Sequence, residues 1–269
     1  MRDRHGIVST WRGVLVALAA LAVAALATVT GPAAAGRATL PPNVILVVTD
    51  DQTVSSLEGA PVAMPWLRSQ LATAGSGWWS FRDAVVSTPM CCPSRATILT
   101  GLDAWGTGVV DNTTGERLDD TDTIATRLQA SGYRTGLIGK YLNGYPWDRG
   151  PFVPPGWDRW LAKTNRSEAT TYYDYALVDQ ERWRSTGGGP ADHVVELLTR
   201  EALGFVRTAP RDRPFFLTFA PPAPHRPATP APRDLGILAS PPPPAPADDV
   251  LRGRDGKPGW LRALPTIDA

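Results

Sequence analysis

The sequence predicts an α/β fold in which a mostly parallel β-sheet is sandwiched by helices. Three segments carry this prediction, because each is a short, continuous apolar run of the kind found in strands buried on both faces of a parallel sheet. They are 43–49 (NVILVVT), 133–139 (YRTGLIG) and 214–220 (PFFLTFA). We expect these three strands to be parallel neighbours or near-neighbours.

Segments with helical periodicity alternate with these strands, which favours strand–helix–strand units with right-handed crossovers. Leu67 and Leu71 stand four residues apart, and Gly101 is placed to end a helix. The run 81–86 is predicted as a further strand. The predicted helices are 64–74, the segment from just after Cys91 to Thr100, 123–131 and 193–208.

Two stretches of the sequence show the pattern of neither a strand nor a helix. Over residues 145–160, Pro and Gly residues alternate with large aromatic side chains, which predicts an ordered loop packed by aromatic rings. Residues 240–247 form a proline tract, and the tail that follows shows little periodicity. We interpret this tail as a surface connection.

Composition is typical of a globular protein, since 43% of the 269 residues are hydrophobic and 20% are charged. The formal net charge is +1, without long runs of one sign. This charge gives neither the basic footprint of a nucleic-acid-binding protein nor a polybasic membrane patch. We therefore predict no nucleic-acid partner and no stable membrane partner.

The first residues have the layout of a secretory signal peptide. Three arginines within the first twelve residues precede an uncharged apolar run, 13–29, and the alanine triplet 33–35 follows. We predict a signal peptide over 1–35, ahead of a catalytic domain over 36–269. Because the apolar run is near the lower limit for spanning a bilayer, an uncleaved anchor is the alternative. Both interpretations predict an exported protein, secreted or held in the cell envelope.

The chain has two cysteines, Cys91 and Cys92, which are adjacent in sequence. Adjacent cysteines rarely bridge each other, because disulfide geometry is hard to reach across a trans peptide bond. Free thiols in an exported protein favour reactive chemistry. A buried structural pair ahead of a capped helix is the alternative.

Charged side chains follow the predicted strands. Asp50 and Asp51 come directly after the first strand, Lys140 ends the second and His225 follows the third. Open α/β sheets bind ligands beyond these strand ends, and paired carboxylates suit calcium or magnesium. For the two aspartates, the alternative is a turn in which Asp caps a helix. For His225, the alternative is an imidazole in a loop, exposed to solvent.

Cys91 and Arg95 are four residues apart, so a helix that begins near Pro93 brings them together at its positive end. The helix dipole and the guanidinium would both stabilise negative charge developing on a nucleophile at that place.

These segments resemble the sulfatase family of the alkaline-phosphatase-like superfamily. The segment TPMCCPSRATILTG resembles the family's Cys-x-Pro-Ser-Arg signature, in which the first Cys is oxidised to formylglycine (3-oxoalanine). The other matching segments are NVILVVTDDQ with the metal pair, GLIGKYLNGY with the active-site lysine and PFFLTFAPPAPH with the active-site histidine. The resemblance covers residues 41–265. CCPSR, GKYLN and the later PPGW are most similar to the N-acetylglucosamine-6-sulfatase group.

The resemblance implies calcium-dependent hydrolysis of a sulfate ester. The aldehyde at position 91 hydrates to a geminal diol, one hydroxyl attacks sulfur, and the other expels sulfate by collapse to the aldehyde. The implied substrate is a sulfated carbohydrate or an aryl sulfate. The formylglycine-generating enzyme is the implied partner during biosynthesis.

The resemblance also implies a role for each charged side chain. Asp50 and Asp51, together with the modified Cys91, hold one calcium ion. Arg95 stabilises the diol oxyanion. Lys140 and His225 bind sulfate oxygens, and either can assist the departing alcohol.

The sequence departs from the family pattern at two places. Many members have a histidine two residues after the lysine, where this chain has Leu142; Asn143 follows and is predicted to contact substrate, as in the glucosamine-sulfatase group. No segment after His225 resembles the Asp-Asn or Asp-His motif that completes the family's metal site. We therefore expect the chain to be the amino-terminal part of the fold and a poor sulfatase by itself.

Two other functions stay open at this point. Some phosphonate and phosphate diester hydrolases of the same superfamily share the Cys-x-Pro-Ser-Arg segment and need the same calcium and cationic groups. A non-catalytic exported binding domain is the second alternative.

Overall fold

The computed structural model describes residues 40–53, 56–57, 64–81, 83–164, 172–237 and 259–262. The predicted signal peptide and the proline tract lie outside these residues. Within the described residues, no helix combines the length and the apolar composition that crossing a membrane requires.

One sheet of six strands organises the described residues, in the order β1-β6-β2-β3-β4-β5. The strands are β1 (Val44–Val47), β2 (Arg134–Lys140), β3 (Arg159–Lys163), β4 (Ala176–Asp179), β5 (Arg182–Ser185) and β6 (Phe215–Ala220). β1, β6, β2 and β3 are parallel, whereas β4 pairs antiparallel with β3 and with β5. The predicted α/β fold with a mostly parallel sheet is confirmed, and the three predicted strands are neighbours.

The helices whose bounds the structure describes are α1 (Pro65–Ala72), α2 (Cys91–Thr100), α3 (Ala104–Thr107), α4 (Ile124–Ala130), α5 (Val194–Arg207) and α6 (Gly259–Arg262). Of these, α2 and α4 pack against one face of the sheet and α5 against the other. Successive strand residues point to opposite faces. Leu137 of β2 therefore packs in one core cluster with Ala96 of α2 and Ala125 of α4, whereas Ile138 packs in the other with Leu198 of α5.

Two predictions about strands are wrong. The described residues of the run 81–86, which are 81 and 83–86, form no strand; Phe81 and Val85 are 83% and 92% exposed, and their backbone joins no ladder of the described sheet. β1 is a strand as predicted, but it lies at the edge of the sheet, where Ile45 and Val47 are exposed rather than buried on both faces. An apolar run is compatible with an edge position, because burial depends on neighbours that lie elsewhere in the chain.

The aromatic stretch 145–160 is confirmed as a packed loop only in its first part. The Tyr145 ring contacts the rings of Trp147, Phe152 and Trp160. Trp160 itself belongs to β3, however, and β3 leads to β4 and β5, which the sequence analysis did not predict. These strands are only four or five residues long and begin or end with charged side chains, so their apolar stretches are shorter than those of the three predicted strands.

Candidate active site

Side chains from three strand ends and one helix meet at the carboxyl edge of the parallel strands. Asp50 follows β1, Lys140 is the last residue of β2, and His225 lies in the loop after β6. Helix α2 begins at Cys91, and its first turn carries Arg95 to the same edge. The parallel pairing of β1, β6 and β2 places their carboxyl ends side by side.

Asp50 is the centre of this group. Its Oδ2 accepts a hydrogen bond from Lys140 Nζ at 2.7 Å, and its Oδ1 accepts one from Arg95 Nη2 at 3.1 Å. Arg95 Nη1 also donates to the Lys140 carbonyl at 2.8 Å, which ties α2 to the end of β2. The Cys91 Sγ lies 3.7 Å from Asp50 Oδ1. Asp50, Arg95 and Lys140 are buried, at 4%, 8% and 8% exposure.

The two cations keep Asp50 ionised. Burial works to raise the pKa of Asp50, but Lys140 and Arg95 outweigh it and hold the pKa below its ordinary value of 3.8. A carboxyl with a depressed pKa stabilises the fold above its unfolded pKa and loses that contribution as the pH falls through its folded pKa. At neutral pH, Asp50 is therefore an anion between two basic side chains.

Asp51 adds a second carboxylate on the exposed side. Its φ of 59° lies in the left-handed region, which Asp tolerates better than most residues. Its side chain is 60% exposed, and Oδ2 lies 3.6 Å from His225 Nε2. The His225 Nδ1 donates to the Arg226 carbonyl at 2.8 Å, because a carbonyl oxygen can only accept. His225 Nε2 therefore carries a proton only when the ring is charged.

The two adjacent thiols lie in different environments, and both are free. Cys92 is fully buried, and burial raises the pKa of its thiol. Its backbone N–H donates to Asn112 Oδ1 at 2.9 Å, and its Sγ accepts from the Asn143 backbone N–H at 3.0 Å. Cys91 is only partly buried. Of the two, Cys91 is the thiol that a modifying enzyme or a substrate can reach.

The group fits a hard divalent cation in its chemistry. One ligand atom each from Asp50, Asp51 and Cys91 lie within 4.8 Å of one another. Ca²⁺ prefers oxygen ligands such as carboxylates. An ionised carboxylate has several acceptor positions, and Lys140 and Arg95 occupy only some of those on Asp50. A thiol is a poor calcium ligand, whereas an oxygen at position 91 is a suitable one.

A cavity of about 300 Å³ opens onto these residues and is lined by Asp50, Asp51, Met90, Cys91 and Arg95, among others. A larger cavity of about 830 Å³ lies beside the β4–β5 hairpin. It lies away from the strand ends at which Asp50, Cys91, Arg95 and Lys140 meet, and none of these four residues lines it. The smaller cavity is the better candidate for a reaction site.

Comparison with known proteins agrees with this geometry. Residues 42–246 match the family model described as Sulfatase. This chain belongs to the sulfatase family.

Two relatives illustrate how this sulfatase chain compares with curated family members. It is 37% identical over 201 residues to the putative extracellular sulfatase Sulf-1 homolog of Caenorhabditis elegans, covering 71% of this chain and 27% of that protein. It is 36% identical over 206 residues to N-acetylglucosamine-6-sulfatase of Homo sapiens, covering 71% and 36%. The predicted similarity to the glucosamine-sulfatase group is confirmed. Across four such relatives, the chain spans 17% to 37% of their length.

A solved structure supports the same fold. A protein in complex with its substrate D-glucosamine-2-N,6-O-disulfate is 29% identical, with a TM-score of 0.61 over 73% of this chain and 37% of that protein. The fold of the described sheet and helices is therefore that of part of a sulfatase.

The structure of this sulfatase chain brings the predicted residues Asp50, Cys91, Arg95 and Lys140 into direct contact, and His225 joins them through Asp51. Asn143 is half-buried, and its backbone contacts Cys92. Its predicted contact with substrate stays a prediction.

Three residues near the site were missed by the sequence analysis. Asn112 holds the first turn of α2 through Cys92, and Tyr172 Oη donates to the His225 carbonyl at 2.7 Å. Lys163 ends β3 in register with Lys140. A signal existed only for Lys163, since RWLAK ends an apolar run with lysine as GLIGK does.

Replacing Lys163 with methionine is expected to stabilise the fold. Burial, with repulsion by Lys140, lowers the pKa of Lys163 from 10.5 to about 8, while Asp50 acts in the opposite direction. The unfolded chain therefore binds more protons between these pH values, and wild-type stability rises over that window. At pH 7 the gain in unfolding free energy for Lys163→Met is on the order of 3 kcal/mol.

Chemical denaturation of wild type and Lys163→Met from pH 7 to pH 11 measures this difference. The difference in unfolding free energy between the two proteins is expected to narrow from about pH 8 upward, because Lys163 of the wild type becomes neutral first in the folded and then in the unfolded state. A difference that stays constant across that range would show that the charge of Lys163 does not destabilise the fold.

Proposed function

We propose that this chain carries the nucleophile of an exported sulfatase that removes sulfate from a sulfated carbohydrate or an aryl sulfate. The observation that supports the proposal most strongly is the buried cluster in which Arg95 and Lys140 flank Asp50 beside Cys91. Family membership and the sulfatases among the relatives support the same activity.

Two groups complete the chemistry of the proposed site. Formylglycine formed from Cys91 would supply an oxygen nucleophile, and calcium held by Asp50, Asp51 and residue 91 would supply positive charge beside it. The donor set of the cluster fits both groups, because every other ligand near Cys91 is a carboxylate oxygen.

Arg95 and Lys140 bind and orient the sulfate. Both are basic side chains, both are buried, and the single carboxylate of Asp50 can neutralise only one of them. The remaining positive charge suits a monoanionic sulfate ester. Their mutual hydrogen bond, from Arg95 Nη1 to the Lys140 carbonyl, keeps the two cations in a fixed geometry.

Proton delivery to the departing alcohol falls to His225 in its charged form. Its Nδ1–H is committed to the Arg226 carbonyl, and its Nε2 faces Asp51 at the exposed side of the group. Lys140 is the second candidate donor, whereas Asn143 is assigned to substrate contact only.

The proposal extends to export and maturation. The arginine-flanked apolar run and the alanine triplet at the amino terminus support a signal peptide over 1–35. Two relatives are named extracellular sulfatases. The formylglycine-generating enzyme is the partner that would convert Cys91.

The test compares hydrolysis of an aryl sulfate, an aryl phosphonate and an aryl phosphate diester by the protein made together with a formylglycine-generating enzyme. We expect the sulfate to be the best substrate by at least about tenfold in kcat/KM, and chelation of calcium to abolish turnover. A preference for the phosphonate or the diester would replace the proposed activity with its superfamily alternative. Absence of turnover on all three, at full formylglycine content, would favour a non-catalytic domain.

A further inference from the structure

Lys163 is a buried cation that the proposed chemistry does not use. It is the last residue of β3 and lies in register with Lys140, the last residue of the parallel strand β2. Residues in register on neighbouring strands project on the same face, about 4.8 Å apart. Lys163 is 4% exposed. The carboxyl edge of the sheet therefore presents two lysines side by side.

No carboxylate neutralises Lys163 within the part of the chain that the structure describes. Its Nζ lies 5.6 Å from the centroid of the Tyr175 ring, which is a weak cation–π contact. Asp50 attracts it from a greater distance, but both Asp50 oxygens already bind Lys140 and Arg95. Such an arrangement destabilises the fold unless an anion arrives from outside.

The charges around Asp50 do not balance. Arg95, Lys140 and Lys163 are three cations at this edge, and Asp50 is the one buried carboxylate among them. The exposed Asp51 would add one negative charge and the proposed calcium ion two positive charges, so the single negative charge of the sulfate ester leaves this edge with an excess of positive charge. Arg95 and Lys140 contact Asp50, and Lys163 is the buried cation beside them without a carboxylate among the described residues.

We propose that Lys163 is a second anchor for substrate, which selects sulfate esters that carry another anionic group on the same ring. The inference rests on the proposed function, because it takes Lys140 as the lysine that holds the reacting sulfate. The second anionic group can be a sulfamate or a carboxylate, because both carry one negative charge. Probes with each group are therefore needed to tell which of the two Lys163 binds.

Direct binding tests the anchor without relying on turnover. In the Cys91→Ala background, calorimetry at low salt compares glucosamine-2-N,6-O-disulfate with N-acetylglucosamine 6-sulfate, and carboxyphenyl sulfate with phenyl sulfate. Each pair differs in the second anionic group. At least one dianionic probe is expected to bind about tenfold more tightly than its monoanionic partner, which corresponds to about 1.4 kcal/mol.

Three variants in the same background assign the difference to Lys163. Lys163→Met is expected to weaken binding of the dianionic probe about tenfold and that of the monoanionic probe less than twofold, whereas Lys163→Arg retains the preference. Arg182→Met removes one exposed cation of β5 and controls for net charge. Thermal melts check that each variant is folded.

The outcomes distinguish a second substrate anchor at Lys163 from the other roles that this lysine could have. Equal weakening of both probes by Lys163→Met would mean that Lys163 serves the reacting sulfate or the position of Lys140, and would overturn the inference. No weakening of either would overturn it as well. If the Cys91 protein hydrolyses no sulfate ester while the binding preference depends on Lys163, the anchor stands and the proposed function fails.

Discussion

Cys91→Ala and Cys91→Ser are expected to lower sulfate ester turnover at least about a thousandfold, because both remove the residue that we propose is converted into the nucleophile. The Cys91 thiol lies beside Asp50 and is partly exposed to the cavity. Rates must be normalised to formylglycine content, measured by mass spectrometry of the peptide that contains residue 91.

Cys92→Ala is the matched control for this prediction. Cys92 is fully buried and contacts the backbone of Asn143, so its truncation should lower stability through a small cavity. Turnover per folded molecule is expected to stay within about threefold, because the side chain lies behind the reacting group. An active preparation in which residue 91 is unmodified, or one in which residue 92 carries the aldehyde, would contradict the assignment.

Asp50→Asn is expected to destabilise the fold by about 3–5 kcal/mol and to abolish calcium binding. The change leaves Arg95 and Lys140 buried beside a neutral amide, which cannot compensate for the loss of their contact with water. The stability loss should fade below pH 3.8, since wild-type Asp50 is protonated in the unfolded chain there and then loses its contribution as the pH falls through its lowered folded pKa.

Asp51→Asn separates the effect on stability from the effect on calcium binding that are both expected for Asp50→Asn. The Asp51 side chain is 60% exposed and contacts only His225 among the described charged residues, so its loss should cost less than about 1 kcal/mol of stability. Calcium affinity is expected to fall in both variants. Denaturation at pH 7 and calcium titration measure the two quantities. Equal stability of the two variants would show that the buried ion pairs of Asp50 contribute little.

The segments of the candidate active site were predictable because each is local in sequence. A buried-strand pattern that ends in Asp50 or Lys140 specifies a strand end, and parallel strands place such ends together. Pro93 and the spacing of Cys91 and Arg95 indicate a helix start. The resemblance then assigned roles that spacing alone left open, such as reactive Cys91 rather than a structural pair.

The sequence by itself determined the strands β1, β6 and β2 and the polar residues that follow them, because short apolar runs of this composition favour strands of a parallel sheet. Only the tertiary structure decided the position of β1 at the edge, the absence of a strand over the described residues 81 and 83–86, and the alignment of Lys163 with Lys140. The physical reason is that exposure and register depend on partners distant in the chain. A lysine that ends a short strand becomes a buried, unneutralised cation only when β3 lies beside β2.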